Sequence, residues 1–369
     1  MRGMTWNHPR GHDPLVAASA RWREMTGLNI AWDRRSLQDF ETYPVEDLAR
    51  RYDLIVIDHP HVGQVAATGC LLPLDTLVDA ASLQGIAAGS IGASFESYLW
   101  DGQQWALPVD AAAQVSAWVP SRIAAMPAKW TDLAPLIADG RASLPLRPPH
   151  SLMSLFTLCG LSGIALDPSD DLLFPPGALS AFELLAAAAA QSYPGAFESD
   201  PIDMLEAMAR PDSRLAVAPL IYGYVSYARA GFRPELIRFS DIPALDHGPE
   251  GSALGGTGIA VSAFGQDPAA AARFAAWVAS GPVQRDIVAA HGGQPAHGDA
   301  WSSDVVNAAS GDFYRGTRRT LDHAWLRPRH DGYMKFQDLA SSRINADLRA
   351  GTAAVDAIAA LNHLYRASR

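Results

Sequence analysis

The sequence has little cysteine, no long apolar run and no block of like charge, and each shortage excludes something. Only Cys70 and Cys159 are present, far apart and in apolar settings. A disulfide framework is thereby excluded, and two unpaired buried thiols are expected ahead of a bond between them. No stretch reaches the ~18 consecutive apolar residues that a membrane-spanning helix requires. Basic residues are the minority, 29 Lys and Arg against 39 Asp and Glu, which argues against nucleic acid or an anionic membrane as partner, since both need clustered cations. There is no Gly-x-Ser-x-Gly elbow to seat a hydrolase serine and no His-Glu-x-x-His. The run Gly255-Gly-Thr-Gly258 lacks the Lys-Ser/Thr ending of a phosphate loop and precedes a strand, so it suits a backbone contact or a plain loop better than a nucleotide. No cofactor is expected.

What is there fits two domains: 369 residues, about half of them apolar, exceed one compact core. Met1-Arg-Gly-Met4 runs straight into a strand with no apolar leader, so either a signal peptide was removed or none existed. Met4–Trp6, Leu28–Trp32 and Leu54–Ile57 read as strands. Asp13 as N-cap with Pro14 opens a helix to about Thr26, closed by Gly27, and Leu37–Ala49 reads as a second helix interrupted at Pro44. This β-α-β-α-β alternation predicts a parallel sheet with right-handed crossovers. The loops Asn7 to Gly11, Asp33 to Phe40 and Asp58 to His61 then converge at its carboxyl edge, where such sheets bind ligands.

The stretch Asp101-Gly-Gln-Gln-Trp-Ala-Leu-Pro-Val-Asp110 organises the rest. Asp101-Gly102 is a hairpin turn. After Pro108 the chain passes a polar Asp110 and enters a new β-like run, Val115–Val119, instead of turning back. That predicts a passage between two lobes with Asp110 in the cleft. Beyond it the sequence reads mostly helical, with strands at Arg214–Ala218 and Ile259–Val261 and a closing helix at Ala353–Tyr365.

Aromatic and planar polar groups gather near the strand ends: Trp6, Asn7, His8, Arg10, Asp39, Phe40, Asp58, Trp118, Tyr222 and Tyr224. Indole and phenol faces stack on the C–H faces of sugar rings, and Asp, Asn and Arg pair with hydroxyls or carboxylates. Singly, Trp6 and Trp118 suit a core equally well. With Asp13 capping the helix, an anionic ligand would depend on Arg10 itself. The enzymatic alternative is a metal-dependent hydrolase holding its ion on His59 and His61 at the end of the third strand.

In order and spacing, Thr5-Trp-Asn-His8, Thr26-Gly27, Tyr52-Asp-Leu-Ile-Val-Ile-Asp58, Gly69-Cys-Leu-Leu-Pro-Leu-Asp75, Trp105-Ala-Leu-Pro-Val-Asp110, Gly255-Gly-Thr-Gly-Ile-Ala-Val261 and Gly292-Gly-Gln-Pro295 together resemble a bacterial extracellular solute-binding protein, the sugar-binding receptor of an ABC importer. The resemblance covers nearly the whole chain. It implies an α/β, two-lobed periplasmic-binding-protein fold (type II) with a hinge between discontinuous lobes. The N-terminal lobe is expected as 1–109 plus 259–310 and the C-terminal lobe as 110–258 plus 311–369. It further implies a periplasmic monomer without catalysis or metal that captures a small polar solute, a carbohydrate or an anionic molecule, between lobes that close for an ABC transporter permease. Carried over by residue, Trp6, Asn7 and His8, then Asp58 and His59, then Asp110, Tyr222, Tyr224, Gly256 and Thr257 would line the site; Arg327 and Arg329 would face the far lobe or the surface. A cytosolic solute sensor on the same fold is the other alternative.

Overall fold

The computed structural model describes residues 1–37, 44–245 and 248–369. Strand β1 (Arg2–Trp6) leads into the helix Pro9–Thr26, β2 (Ala31–Arg35), a short helix Val45–Ala49 and β3 (Leu54–Asp58). Both β2 and β3 pair parallel with β1, which therefore lies between them. This is the predicted β-α-β-α-β unit. Leu54, Ile55, Val56 and Ile57 are all buried, as an apolar run covered on both faces demands.

The first helix departs from expectation. It begins at Pro9 with His8 as its N-cap, so Pro14 lies inside it and Asp13 does not cap it. The imidazole Nδ1 of His8 accepts the Arg10 amide at 3.1 Å, and Pro9 fills the first helical position, where its missing N–H costs nothing. The second strand falls at Ala31–Arg35, three residues later than the Leu28 start its apolar residues suggested. Of the expected helix Leu37–Ala49, Val45–Ala49 is helical; Asp39 and Phe40 lie outside the described residues.

Further on come β4 (Leu71–Leu72), the hairpin β5 (Leu99–Trp100) and β6 (Gln103–Gln104), and the strand β7 (Leu107–Trp118). Asp101 and Gly102 both take positive φ, 50° and 73°, the turn that matches strand twist. The polar Asp110 does not interrupt β7: the twelve residues form one strand. Then follow β8 (Val217–Tyr222), β9 (Arg238–Ser240) and β10 (Leu254–Ser262). Strand β8 starts at Val217, not Arg214, and Gly255 to Gly258 lie within β10, not in a loop.

The chain divides into two compact units. The first comprises Met1–Ala112, Gly255–Ala309 and Arg329–Asp331. Its sheet is extended by β10, antiparallel to β3, with β4 on β10. The helices Pro9–Thr26 and Pro268–Ala279 meet through Trp22, whose ring lies 5.8 Å from Phe274 and 5.1 Å from Trp277. The second comprises Ala113–Leu254, Ser310–Pro328 and Gly332–Arg369. There β8 and β9 each pair antiparallel with β7, and the helix His150–Leu161 is buried almost all round. Phe156 stacks on Phe174 at 5.6 Å, and Phe336 meets Tyr365 edge-on at 5.0 Å. Both cysteines are free and buried, and burial pushes the Cys159 thiol up to about 12. Among the described residues no helix is long and apolar enough to cross a membrane.

Candidate functional site

In the first unit the site is built at the carboxyl ends of β1 and β3. Parallel register sets Met4 beside Ile55, so three residues on, Asn7 and Asp58 occupy neighbouring strand ends. The Asn7 amide donates to the Arg35 carbonyl at 2.6 Å, which pins its backbone and leaves the residue exposed. Asp58 faces Thr257 across the antiparallel pair with β10. Its carboxylate accepts the His59 amide at 2.9 Å and remains partly exposed, at 17 %.

Arg10 and Asp110, expected as separate ligand contacts, pair with each other. The guanidinium donates through Nε at 2.8 Å and through Nη2 at 2.5 Å to the two carboxylate oxygens, a bidentate geometry that satisfies both charges out of water. Both side chains are about 5 % exposed. Beside them lies a cavity of about 10 Å³, lined by Trp6, Arg10, Asp110 and Thr257 among others, with room for no more than one water. The Thr257 hydroxyl is buried there without a protein partner among the described residues.

Trp6 and His8 are also buried: the first packs in the core of its unit and the second caps the helix, so neither offers a face to a ligand in this structure. His59 is fully buried, edge-on to Tyr98 at 6.4 Å and 3.2 Å from the Asp58 carboxylate. His61 is buried as well. Among the described residues no three of His, Cys, Asp and Glu are grouped so as to hold a metal ion. Gly256 takes φ +91°, and a Cβ there would lie 2.4 Å from the Asp110 carbonyl, so only glycine lets β10 approach this closely.

Arg329 belongs to this first unit, not to the far one. One Nη donates to the carbonyls of Glu96, Ser97 and Leu99 at 2.8, 3.1 and 2.8 Å, gathering the carbonyls at the end of the helical turn Glu96–Tyr98. Arg327 is buried in the second unit, where it donates to the Leu254 carbonyl and to Gln337, each at 3.0 Å.

In the second unit Tyr222 lies opposite Gln114, whereas Trp118 lies opposite Val217. Four residues of strand separate them, about 13 Å, so these two aromatics are not brought together. Tyr224 is buried. Residues that sequence reading missed stand next to Tyr222: Gln114, bonded through its side chain to Ser154 and Thr157, and His150, edge-on to Tyr222 at 6.1 Å. Nothing in the local sequence marks either one, because only the pairing of β7 with β8 and the packing of helix 150–161 place them there.

His150 is buried, and its Nδ1 has no hydrogen-bond partner among the described residues. Burial, followed by the nearby cations Arg147 and Arg327, lowers its pKa from 6.5 to about 3. The folded chain therefore holds the neutral ring where the unfolded chain takes up a proton. The associated stability is complete above pH 6.5 and is lost as pH falls toward 3, by up to ~1.4 kcal/mol per pH unit. Relative to wild type, His150→Leu is expected to unfold less steeply with acid over that window; parallel denaturant titrations at pH 7 and pH 4 check it.

Two units assembled from alternating segments, with a parallel β-α-β core and ligand-ready loops at its carboxyl edge, define the α/β fold of the periplasmic binding proteins. The sequence model for the bacterial extracellular solute-binding proteins matches residues 45–311; the chain belongs to this family. Its members bind solutes rather than transform them. Solved structures agree on the fold. A ribitol complex of an ABC transporter solute-binding protein from Agrobacterium radiobacter is similar at TM-score 0.80 and 17 % identity, over 100 % of this chain and 98 % of that one. Maltose-bound MalE3 of T. maritima is similar at TM-score 0.82 and 14 % identity, over 99 % and 98 %. A Thermotoga lettingae solute-binding protein bound with α-D-tagatose is similar at TM-score 0.80 and 16 % identity, over 99 % and 98 %. No functionally curated protein matches the sequence.

Proposed function

We propose that the chain is the periplasmic receptor of an ABC importer and captures a neutral sugar or polyol for its permease. The observation that carries this reading is the pair of planar polar groups at neighbouring strand ends, the exposed Asn7 and the partly exposed Asp58. An amide offers donors and an acceptor, a carboxylate offers acceptors only, and vicinal hydroxyls answer both. The bidentate pairing of Arg10 with Asp110 removes the cation on which an anionic solute would have relied, and Asp58 would repel one. Ribitol, maltose and tagatose, held by the similar structures, are the ligands to try first. Gly256 and Thr257 in the first unit and Tyr222 in the second are proposed as further contacts. Of these, Tyr222 has its neighbours His150 and Gln114 to fix it.

A thermal-shift screen of sugars, sugar alcohols and sugar acids tests the reading. A ligand at 100 times its Kd is expected to stabilise the chain by about 2.7 kcal/mol. In calorimetric titration Asp58→Ala is expected to weaken binding by about 10- to 100-fold, the size of a hydrogen bond to a charged group. Stabilisation by sugar acids alone, or unchanged affinity in Asp58→Ala, would remove the basis for it.

A further inference from the structure

The first unit carries a second cavity that shares no residue with the strand-end site. It holds about 660 Å³ and lies against the helices Pro9–Thr26, Ala80–Gly89 and Pro268–Ala279. That volume is in the range of small-molecule pockets. Its apolar lining is the half-buried Trp277 over the buried Trp22 and Ile86, with the two indoles 5.1 Å apart. Charges of both signs also line it: the guanidinium of Arg273 and the carboxylates of Asp79 and Asp299.

These charges are not neutralised by one another. Asp79 accepts hydrogen bonds from the amide and hydroxyl of Ser82 at 2.9 and 2.7 Å, which hold its carboxyl below the usual range and keep it ionised. Asp299 lies 3.7 Å from the His297 ring. Indole faces attract organic cations and apolar rings alike, a carboxylate adds selectivity for an ammonium, and a guanidinium for a carboxylate. The three charges stand at the exposed rim, where a ligand carrying both an ammonium and a carboxylate would meet a partner for each and a simple anion would meet two carboxylates.

We propose that this cavity is a second small-molecule site, for an amphipathic zwitterion with a ring-sized apolar body, an ammonium group and a carboxylate. It is independent of the solute that the strand-end site takes. The probes are L-phenylalanine, phenethylamine, which lacks the carboxylate, and phenylacetate, which lacks the ammonium, each titrated into the full chain and followed by tryptophan fluorescence and calorimetry.

Phenylalanine is expected to bind most tightly. Arg273→Ala is expected to cost it about fivefold, the size of a partly exposed ion pair, and to leave phenethylamine unaffected. Gly85 lies on the helix Ala80–Gly89 and lines the cavity, and a Cβ there meets nothing within 4 Å, so Gly85→Phe is expected to send its ring into the open space and to abolish phenylalanine binding. Its melting temperature and its response to sugars should match wild type, which separates a blocked pocket from a damaged fold and from failure of the sugar-receptor reading. Equal affinity for phenylalanine and phenethylamine, no binding of any probe, or full phenylalanine binding by Gly85→Phe would each overturn the proposal.

Discussion

Asp110→Ala is expected to destabilise the first unit by about 3–5 kcal/mol, because it leaves the buried Arg10 guanidinium without a counter-charge. Both partners are about 5 % exposed, so bulk water does not reach the stranded guanidinium. Arg10→Ala should cost a similar amount by stranding the carboxylate. The pair itself is worth far less than either loss suggests, since its attraction largely offsets the desolvation of two ions. Arg10→Met combined with Asp110→Leu is therefore expected to recover most of the stability. Urea titrations of the four proteins check this. Single variants that unfold at the wild-type midpoint would show that the pair is hydrated in solution, and a double variant no more stable than the singles would show that the ion pair is worth more than its apolar replacement.

Gly256→Ala is expected to cost about 2–5 kcal/mol, from a left-handed backbone that alanine resists and from overpacking against main chain that has no rotamer to yield. The obstructing atom is the Asp110 carbonyl, 2.4 Å from the new Cβ, with the Ala111 Cα at 2.9 Å. A side chain could rotate away; a strand carbonyl can move only by distorting β7. Since Thr257, next along β10, faces Asp58 in register, the same substitution is expected to weaken solute binding. Gly102→Ala supplies the control: its φ of +73° is also left-handed, but a Cβ there meets nothing within 4 Å, so it should cost only the conformational part, about 1 kcal/mol. Equal losses in the two variants would contradict the close-approach argument.

The strand-helix alternation of the first sixty residues was legible because Leu54–Ile57 is apolar throughout and the polar and glycine stops around it are unambiguous. Placement of individual ends was not. The helix cap went to His8 instead of Asp13, because a histidine ring can accept an amide as a carboxylate does, and propensity ranks the carboxylate first. Gly255 to Gly258 read as a loop because glycine is poor in strands, yet close packing against β7 requires it there. Arg10 and Asp110, both expected to meet the ligand, are a hundred positions apart. Only the fold reveals that each is the other's partner.

Composition and local pattern by themselves pointed to two domains, an α/β class and a parallel start, and the order and spacing of the motifs carried the resemblance to the solute-binding family. These are properties of residue type, hydrophobic period and motif order, which need no knowledge of distant contacts. Tertiary structure decided which polar groups remain available: Asn7 and Asp58 partly open, Arg10, Asp110, His8 and His59 engaged or buried, His150 set beside Tyr222. It also decided that Trp22, Trp277, Arg273 and Asp79 line one cavity. The physical reason is that a side chain's role depends on its partners and its access to water, and both are settled by long-range packing.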